Sequence, residues 1–221
     1  MGFSSELRQR ADAIWAAQRQ HPFVRGIADG TLGVNRFQFW VRQDYLFLIE
    51  YCRLFGLAAA RAPDLETLSR FADLLQATAG TEMDLHRRFA AEFGISIREL
   101  ELEAMAPTTR AYTDFLVRLA STGEFCELVA ALLPCMWAYS ELGRALAAWP
   151  RPQDNRYQAW IEMYSSDKFA ELARWCRELL DRLANDIGDR PRRRMEDAFV
   201  TSSRYELGFW QMAWTLEEWP T

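Results

Sequence analysis

Helical periodicity runs through nearly the whole chain and constrains its fold more than any other feature. From residue 4 to residue 20, apolar side chains recur every three or four positions, which places them on one face of a helix. The same spacing recurs in later segments, near residues 35–61, 64–93, 107–120, 124–148, 154–164, 167–185 and 191–217, and a short helix is expected to begin at Ser96. The alternation typical of β-strands is absent. The sequence therefore predicts an all-α, single-domain helical bundle of eight or nine helices that spans residues 1–221.

Capping residues predict several helix boundaries. Asn35 and Asp64 are candidate N-caps, and Ser96 with Glu99 has the spacing of a capping box. His21 precedes a proline, so the first helix should end there, and His21 should cap or anchor that end. Residues 26–33, which begin and end with glycine, are predicted to form a loop.

Composition excludes several classes of protein. The formal net charge of −5 disfavours a nucleic-acid-binding protein, which normally shows a basic excess. The longest apolar run, Leu128–Tyr139, is too short to cross a bilayer, so no membrane partner is expected. Four dispersed cysteines without a secretory signal indicate reduced thiols and a cytoplasmic protein. Arginines cluster only at residues 190–194, where acidic neighbours favour a solvated turn over a phosphate site.

Metal and cofactor sites are not expected. Two histidines cannot complete a Cys/His zinc framework with four scattered cysteines. His86 follows Glu82 by four residues, whereas di-iron bundles repeat a Glu-x-x-His pattern on two helices. We therefore interpret Glu82 and His86 as a structural hydrogen-bonded pair.

Cys135 has an unusual setting within the most apolar helix. Pro134 precedes it and withholds a backbone donor, and Tyr139 lies one turn further along the same face. Either Cys135 is an ordinary core cysteine beside a tolerated proline, or it is a thiol held for chemistry. Cys52, Cys126 and Cys176 have no such setting and are interpreted as core residues.

Asp44 and Glu206 both lie among aromatic residues in predicted helices. If they are buried, they are candidate acids or bases, and if they lie on the outer helix face, they are ordinary surface carboxylates. The aromatic residues themselves, including nine tryptophans, either fill the core or line a pocket for a flat heterocycle. The sequence leaves these alternatives open.

Taken together, these segments resemble the TenA/thiaminase II family. The resemblance begins at residues 21–32, HPFVRGIADGTL, and ends at residues 202–210, SSRYELGFW. Between them lie Gln43-Asp44, the segment from Glu82 to His86, and residues 130–135, AALLPC. The match covers nearly the whole chain in order. Because a cysteine follows Leu-Leu-Pro, the chain resembles the cysteine-containing class of the family.

This resemblance implies a heme-oxygenase-like fold without heme or another cofactor, in a homotetramer. It also implies hydrolysis of aminopyrimidines to hydroxymethylpyrimidine for thiamin salvage. The substrate would be 4-amino-5-aminomethyl-2-methylpyrimidine, with thiamin used more weakly.

The resemblance also implies roles for individual residues. Cys135 matches the nucleophile that adds to the pyrimidine ring, Asp44 the carboxylate that binds its amino edge, and Glu206 the carboxylate that manages protons. The remaining matched positions would bind or enclose the ring; they are Phe47, Tyr112, Tyr139 and Tyr164.

Two positions depart from the family pattern. Phe47 stands where tyrosine is frequent, and Ser165-Ser166 stands where Gly-Gly is frequent. Both departures concern the leaving-group side of the substrate. Two alternative functions are a non-catalytic pyrimidine-binding or regulatory protein and a PqqC-like cofactor-processing enzyme. The second would need cationic and histidine clusters that this sequence does not clearly offer.

Overall fold

The computed structural model describes residues 2–150, 155–185 and 187–220, and they contain no β-strand. These residues form twelve α-helices and one π-helical segment, Thr78–Glu82. The helices are α1 (Phe3–Arg10), α2 (Asp12–Gln20), α3 (Pro22–Asp29), α4 (Val34–Ala60), α5 (Leu65–Ala77), α6 (Met83–Glu92), α7 (Ile97–Leu102), α8 (Pro107–Thr122), α9 (Phe125–Ala147), α10 (Gln158–Ser165), α11 (Asp167–Leu183) and α12 (Asp189–Thr215). The all-α prediction is confirmed.

Two of the predicted caps are confirmed. The Asp64 carboxylate accepts the backbone N–H of Thr67 at 2.7 Å at the start of α5. Ser96 and Glu99 form both bonds of a capping box at the start of α7. Asn35 is not a cap, because α4 already begins at Val34.

The predicted helix count was too low for three reasons. The first helix is interrupted at Ala11, and the helix expected over residues 64–93 contains the π-helical segment. Residues 22–29 form α3, which includes residues 26–29 of the predicted loop, because Pro22 occupies the first helical turn and His21 caps it. The loop begins at Gly30, whose positive φ of 77° ends α3 in the left-handed conformation.

Other helix ends differ from the prediction by a few residues. The helix predicted from Asp154 is observed from Gln158, and Asp154 itself lies outside the described residues. The arginines of residues 190–194 lie in the first helical turns of α12, whereas a solvated turn outside a helix was predicted. Arg194 pairs with Glu127 through an Nε–Oε1 contact of 2.5 Å, so this cluster is partly neutralised.

Contacts between Cα atoms divide the chain into two compact units. The first unit comprises Met1–Gly33 and Cys126–Gln211, and the second comprises Val34–Phe125 and Met212–Thr221. In the first unit, α1 packs on α11 and α10 on α11. In the second unit, α4 is the central element and packs against α5, α6 and α8.

Helix α9 is long and apolar enough to span a membrane by composition. Its mean hydropathy over the most apolar window is 1.3, yet 78% of that window is buried within the protein. Burial of this extent is typical of the core helix of a soluble protein.

Candidate active site

Cys135 lies in the interior of α9, directly after Pro134. Its side chain is half-buried, in contrast to Cys176, which is fully buried. A proline removes one i→i−4 bond, here the bond to the Ala130 carbonyl in its preceding turn. In that turn the Ser202 hydroxyl donates to the Ala131 carbonyl at 2.6 Å. The helix thus continues through the proline and holds the thiol partly accessible.

Aromatic rings surround Tyr139, one turn beyond Cys135 on α9. The Tyr139 ring meets Tyr164 edge to face at 4.9 Å and lies 5.1 Å from the ring of Trp210. Trp160 completes the group at 4.7 Å from Tyr164. All four side chains are buried. We refer to Tyr139, Trp160, Tyr164 and Trp210 as the ring cluster of the first unit.

Glu206 lies on α12, one turn before Trp210. Only 2% of its surface is exposed, so the alternative of an ordinary surface carboxylate is excluded. Burial of a carboxylate requires partners and favours a chemical role over a solvating one. The first unit therefore holds Cys135, Glu206 and two of the predicted tyrosines, Tyr139 and Tyr164.

Asp44 lies on α4 in the second unit and is also buried. Its Oδ2 lies 2.6 Å from Nε2 of His86 on α6, and the His86 side chain is completely buried. The expected bond between Glu82 and His86 is present in a different form, since His86 Nδ1 contacts the backbone carbonyl of Glu82 at 3.0 Å. Spacing along one helix predicts Glu82 as the side-chain partner of His86, but that partner is Asp44, 42 residues earlier in the chain.

The protonation of His86 follows from these two contacts. Burial would by itself lower the pKa of His86, but the hydrogen bond and charge of Asp44, together with Glu82, raise it above its ordinary value. Two features of the sequence mark His86. One is its spacing from Glu82, and the other is that the segment joining the two residues belongs to the family resemblance.

Phe47 and Tyr112 pack together in the second unit. Their ring centroids are 5.1 Å apart, and Phe47 also stacks on Tyr51 at 5.4 Å. Both Phe47 and Tyr112 are buried. Phe47 has no hydroxyl where tyrosine is frequent in the family, and its ring packs within an aromatic stack with Tyr51 and Tyr112. The assigned roles of these residues in binding remain predictions.

A model of the TENA/THI-4/PQQC family matches residues 8–216. The chain belongs to this family. The family resemblance inferred from the sequence is thereby confirmed.

Two curated relatives within the TENA/THI-4/PQQC family match almost end to end. One, from Halalkalibacterium halodurans, is named aminopyrimidine aminohydrolase and is 44% identical over 220 residues, which cover 99% of this chain and 98% of the relative. Another protein of the same name, from Bacillus subtilis strain 168, is 40% identical over 219 residues, with 99% and 92% covered.

Solved structures agree with the family's fold. The TenA homologue from P. horikoshii OT3 superimposes with a TM-score of 0.89 at 26% identity, covering 97% of this chain and 99% of that one. A Shewanella denitrificans OS217 protein with a heme oxygenase-like fold superimposes with a TM-score of 0.73 at 15% identity, covering 96% and 92%. The second match bears on the fold alone and confirms the heme-oxygenase-like prediction.

Proposed function

We propose that this protein is an aminopyrimidine aminohydrolase that acts on 4-amino-5-aminomethyl-2-methylpyrimidine. The products would be hydroxymethylpyrimidine and ammonia, and thiamin would be a weaker substrate. The observation that carries this proposal is the 44% identity to a relative of that name over nearly the full length of both chains. Conversion of a breakdown product to hydroxymethylpyrimidine would return the ring to thiamin synthesis.

Cys135 would act as the nucleophile. Its Sγ adds to the ring carbon next to the one that bears the aminomethyl group, and a C–S bond forms. The displaced electron pair expels the amine, so the methylene C–N bond breaks. Water then adds to the exocyclic methylene, a C–O bond forms, and departure of the thiolate restores the aromatic ring. The half-buried position of Cys135 supports this role, because a nucleophilic thiol must be accessible as well as sheltered.

Glu206 would handle the protons of both half-reactions. As an acid it protonates the departing amine, and as a base it removes a proton from the attacking water. A carboxyl group can serve as the acid in one half-reaction and as the base in the other. The 2% exposure of Glu206 supports the assignment.

Asp44 would bind the amino edge of the ring, since a carboxylate accepts hydrogen bonds from an exocyclic amine. Aromatic side chains would enclose the flat ring, which favours stacked or edge-to-face neighbours. We assign this enclosing role to Phe47, Tyr112, Tyr139 and Tyr164. Their burial and their ring contacts support it.

The proposal also covers the domain organisation, cellular location and assembly of the enzyme. We propose a single functional domain over residues 1–221, a cytoplasmic location and a homotetrameric assembly. The four cysteines are dispersed and present as thiols, which supports a reducing compartment. Light scattering coupled to size-exclusion chromatography measures the assembly, and a mass of one or two chains would contradict the tetramer.

Turnover of the purified protein tests the reaction. Release of ammonia and hydroxymethylpyrimidine from the aminomethylpyrimidine should be observed, and Cys135→Ala should lower kcat by at least about 10³-fold. Cys126→Ala is a matched control, because it removes another half-buried cysteine from the same helix. It should retain the wild-type rate.

Three results would contradict the proposal in different ways. Full activity of Cys135→Ala would overturn the nucleophile while leaving the reaction intact. Tight binding of pyrimidines without turnover of any would indicate a binding or regulatory protein. Turnover only of a polycarboxylated substrate would indicate a PqqC-like enzyme.

A further inference from the structure

The buried pair of Asp44 and His86 contains a charge arrangement that the proposed reaction does not use. His86 has no exposed surface, and Asp44 is only 4% exposed. The 2.6 Å contact between Nε2 and Oδ2 is short, as expected when one or both partners carry charge. Burying such a pair is costly unless its remaining polar atoms are also satisfied.

The contacts of His86 define where its protons lie. The Glu82 carbonyl can only accept a hydrogen bond, so Nδ1 at 3.0 Å must carry a proton. Nε2 faces a carboxylate, which when ionised also only accepts. The ionisable groups that act on His86 are Asp44 on α4 and Glu82 on the π-helical segment, and both are acidic. The arrangement therefore favours an imidazolium beside an aspartate anion.

The π-helical segment brings His86 to this position. Thr78–Glu82 is a π-helical stretch between α5 and α6, and it ends at the residue whose carbonyl His86 contacts. A π turn adds one residue to a helical turn, which rotates all later side chains by about 100° relative to an uninterrupted α-helix. Such insertions occur frequently at functional sites. Here the insertion directs a histidine at a buried carboxylate.

We propose that His86 is a positioning residue that holds Asp44 as an oriented anion for the substrate. The inference rests on the proposed function, in which Asp44 binds the amino edge of the pyrimidine. His86 occupies Oδ2, so Oδ1 is the oxygen that would receive the exocyclic amine. His86 itself does not touch the substrate. Its effect is to fix the rotamer of Asp44 and so the orientation of its carboxylate.

Nitrogen NMR tests the pair without any measurement of activity. The chain has only two histidines, so a protein labelled with ¹⁵N-histidine gives two imidazole spin systems, and His21→Asn assigns them. At pH 7, His86 should show both nitrogens protonated, whereas His21 should show a neutral ring. Asp44→Asn should convert His86 to the neutral form with its proton on Nδ1. A neutral His86 in the wild-type protein would overturn the inference.

Kinetics test whether the pair positions the substrate. His86→Ala should raise KM for the aminomethylpyrimidine by about tenfold to hundredfold, the range expected for loss of a hydrogen bond to a charged group, with a smaller change in kcat. His86→Gln keeps a donor near the Nε2 position and should recover most of the affinity. It also keeps the side-chain volume if His86→Ala does not fold. His21→Asn is the matched control and should leave KM unchanged.

The two measurements separate the inference from the function on which it rests. Unchanged KM in both His86 variants would overturn the positioning role while leaving the hydrolase intact. If the wild-type protein hydrolyses no aminopyrimidine, the proposed function fails, and calorimetric binding of hydroxymethylpyrimidine to the wild type and His86→Ala replaces KM. Equal dissociation constants there would also overturn the positioning role.

Discussion

Gly143 on α9 lies against the main chain at Tyr164, the last turn of α10. An ideal Cβ placed on Gly143 would lie 2.4 Å from the Tyr164 carbonyl carbon and 2.6 Å from the Ser165 nitrogen. Such distances are far below van der Waals contact, and main-chain atoms cannot rotate away. Gly143 therefore permits the close approach of two helices, and this approach sets the position of the Tyr164 ring in the ring cluster.

Gly143→Ala should destabilise the protein and displace Tyr164. Overpacking against the backbone costs about 1–3 kcal/mol, whereas the gain in helix propensity is at most about 1 kcal/mol. Urea denaturation should show a net loss of free energy of unfolding, and aminopyrimidine turnover should fall. Gly56→Ala is the control, since its Cβ would meet only Leu75 Cδ1, at an ordinary 3.6 Å. That variant should be stabilised by about 0.5–1 kcal/mol. A stable, fully active Gly143→Ala protein would contradict this account.

Local chemistry made some helix boundaries predictable. Asp64 and Ser96 cap their helices with side-chain oxygens, which is a property of residue type and neighbours alone. The break at Ala11 and the π-helical segment Thr78–Glu82 contain no proline, and no side chain caps either of them. They depend on how the helices pack, and a residue count along one helix cannot detect them.

The candidate site was likewise predictable only in part. Asp44 and Glu206 are buried. The aromatic residues beside them in the sequence were compatible with burial and with exposure, so the sequence did not decide between the two. The partner of His86 was not predictable from spacing, because Asp44 is on a different helix, 42 positions earlier. Trp160 was identified only as one of many core rings. Its contacts with Tyr139 and Tyr164 come from tertiary packing.

Cys52, Cys135 and Cys176 should differ strongly in reactivity. Burial and then the negative charge of Glu82 raise the pKa of Cys52 to about 11, so only about 0.1% of it is thiolate at pH 8. Burial also raises the pKa of Cys176. Alkylation with iodoacetamide at pH 8, followed by peptide mass spectrometry, should modify Cys135 before Cys52, and Cys176 last.

Protection by a ligand provides the control for that labelling order. Saturating hydroxymethylpyrimidine should slow the alkylation of Cys135 and leave the slow rate of Cys52 unchanged. Glu82→Gln should accelerate the labelling of Cys52 by removing the nearby charge. If Cys52 reacts as fast as Cys135 in the folded protein, the assigned environments are wrong.

His21 should make the protein less stable in mild acid. Its Nδ1 accepts the Phe23 N–H at 3.2 Å as the cap of α3, and Nε2 lies 3.2 Å from Gln211 Oε1. Burial lowers the pKa of His21 and outweighs the hydrogen bond with Gln211, which raises it. The folded state therefore favours neutral His21, whereas the unfolded chain takes up a proton below about pH 6.5. Stability from this group is complete above that pH and is lost as the pH falls towards the lower folded-state pKa.

Comparison of two proteins isolates this contribution. Asparagine is a good N-cap, so His21→Asn should preserve α3 while removing the titration. The free energy of unfolding, measured in urea at pH 8 and pH 5.5, should fall more for the wild type than for His21→Asn. The opposite titration of His86, whose pKa is raised, is present in both proteins and cancels in the difference. An equal loss in both proteins would exclude His21 as the source.

Arg61, one residue beyond α4, should stabilise the second unit by capping the C-terminal end of α8. Its guanidinium donates to the carbonyl of Ala120 at 2.6 Å and of Gly123 at 2.5 Å. A positive charge at a helix C-terminus is favourable, and hydrogen bonds to a charged group contribute more than neutral ones. Arg61→Met should lower the free energy of unfolding by about 1–3 kcal/mol. Arg61→Lys should lower it by less, because an ammonium keeps the charge but lacks the two separate nitrogens of the guanidinium that reach the two carbonyls. Arg53→Met is the control, since Arg53 is exposed and pairs with Glu50 at the surface. Its loss should change stability by no more than about 0.5 kcal/mol. Similar urea midpoints for Arg61→Met and Arg53→Met would show that the carbonyls of α8 find equivalent partners in water.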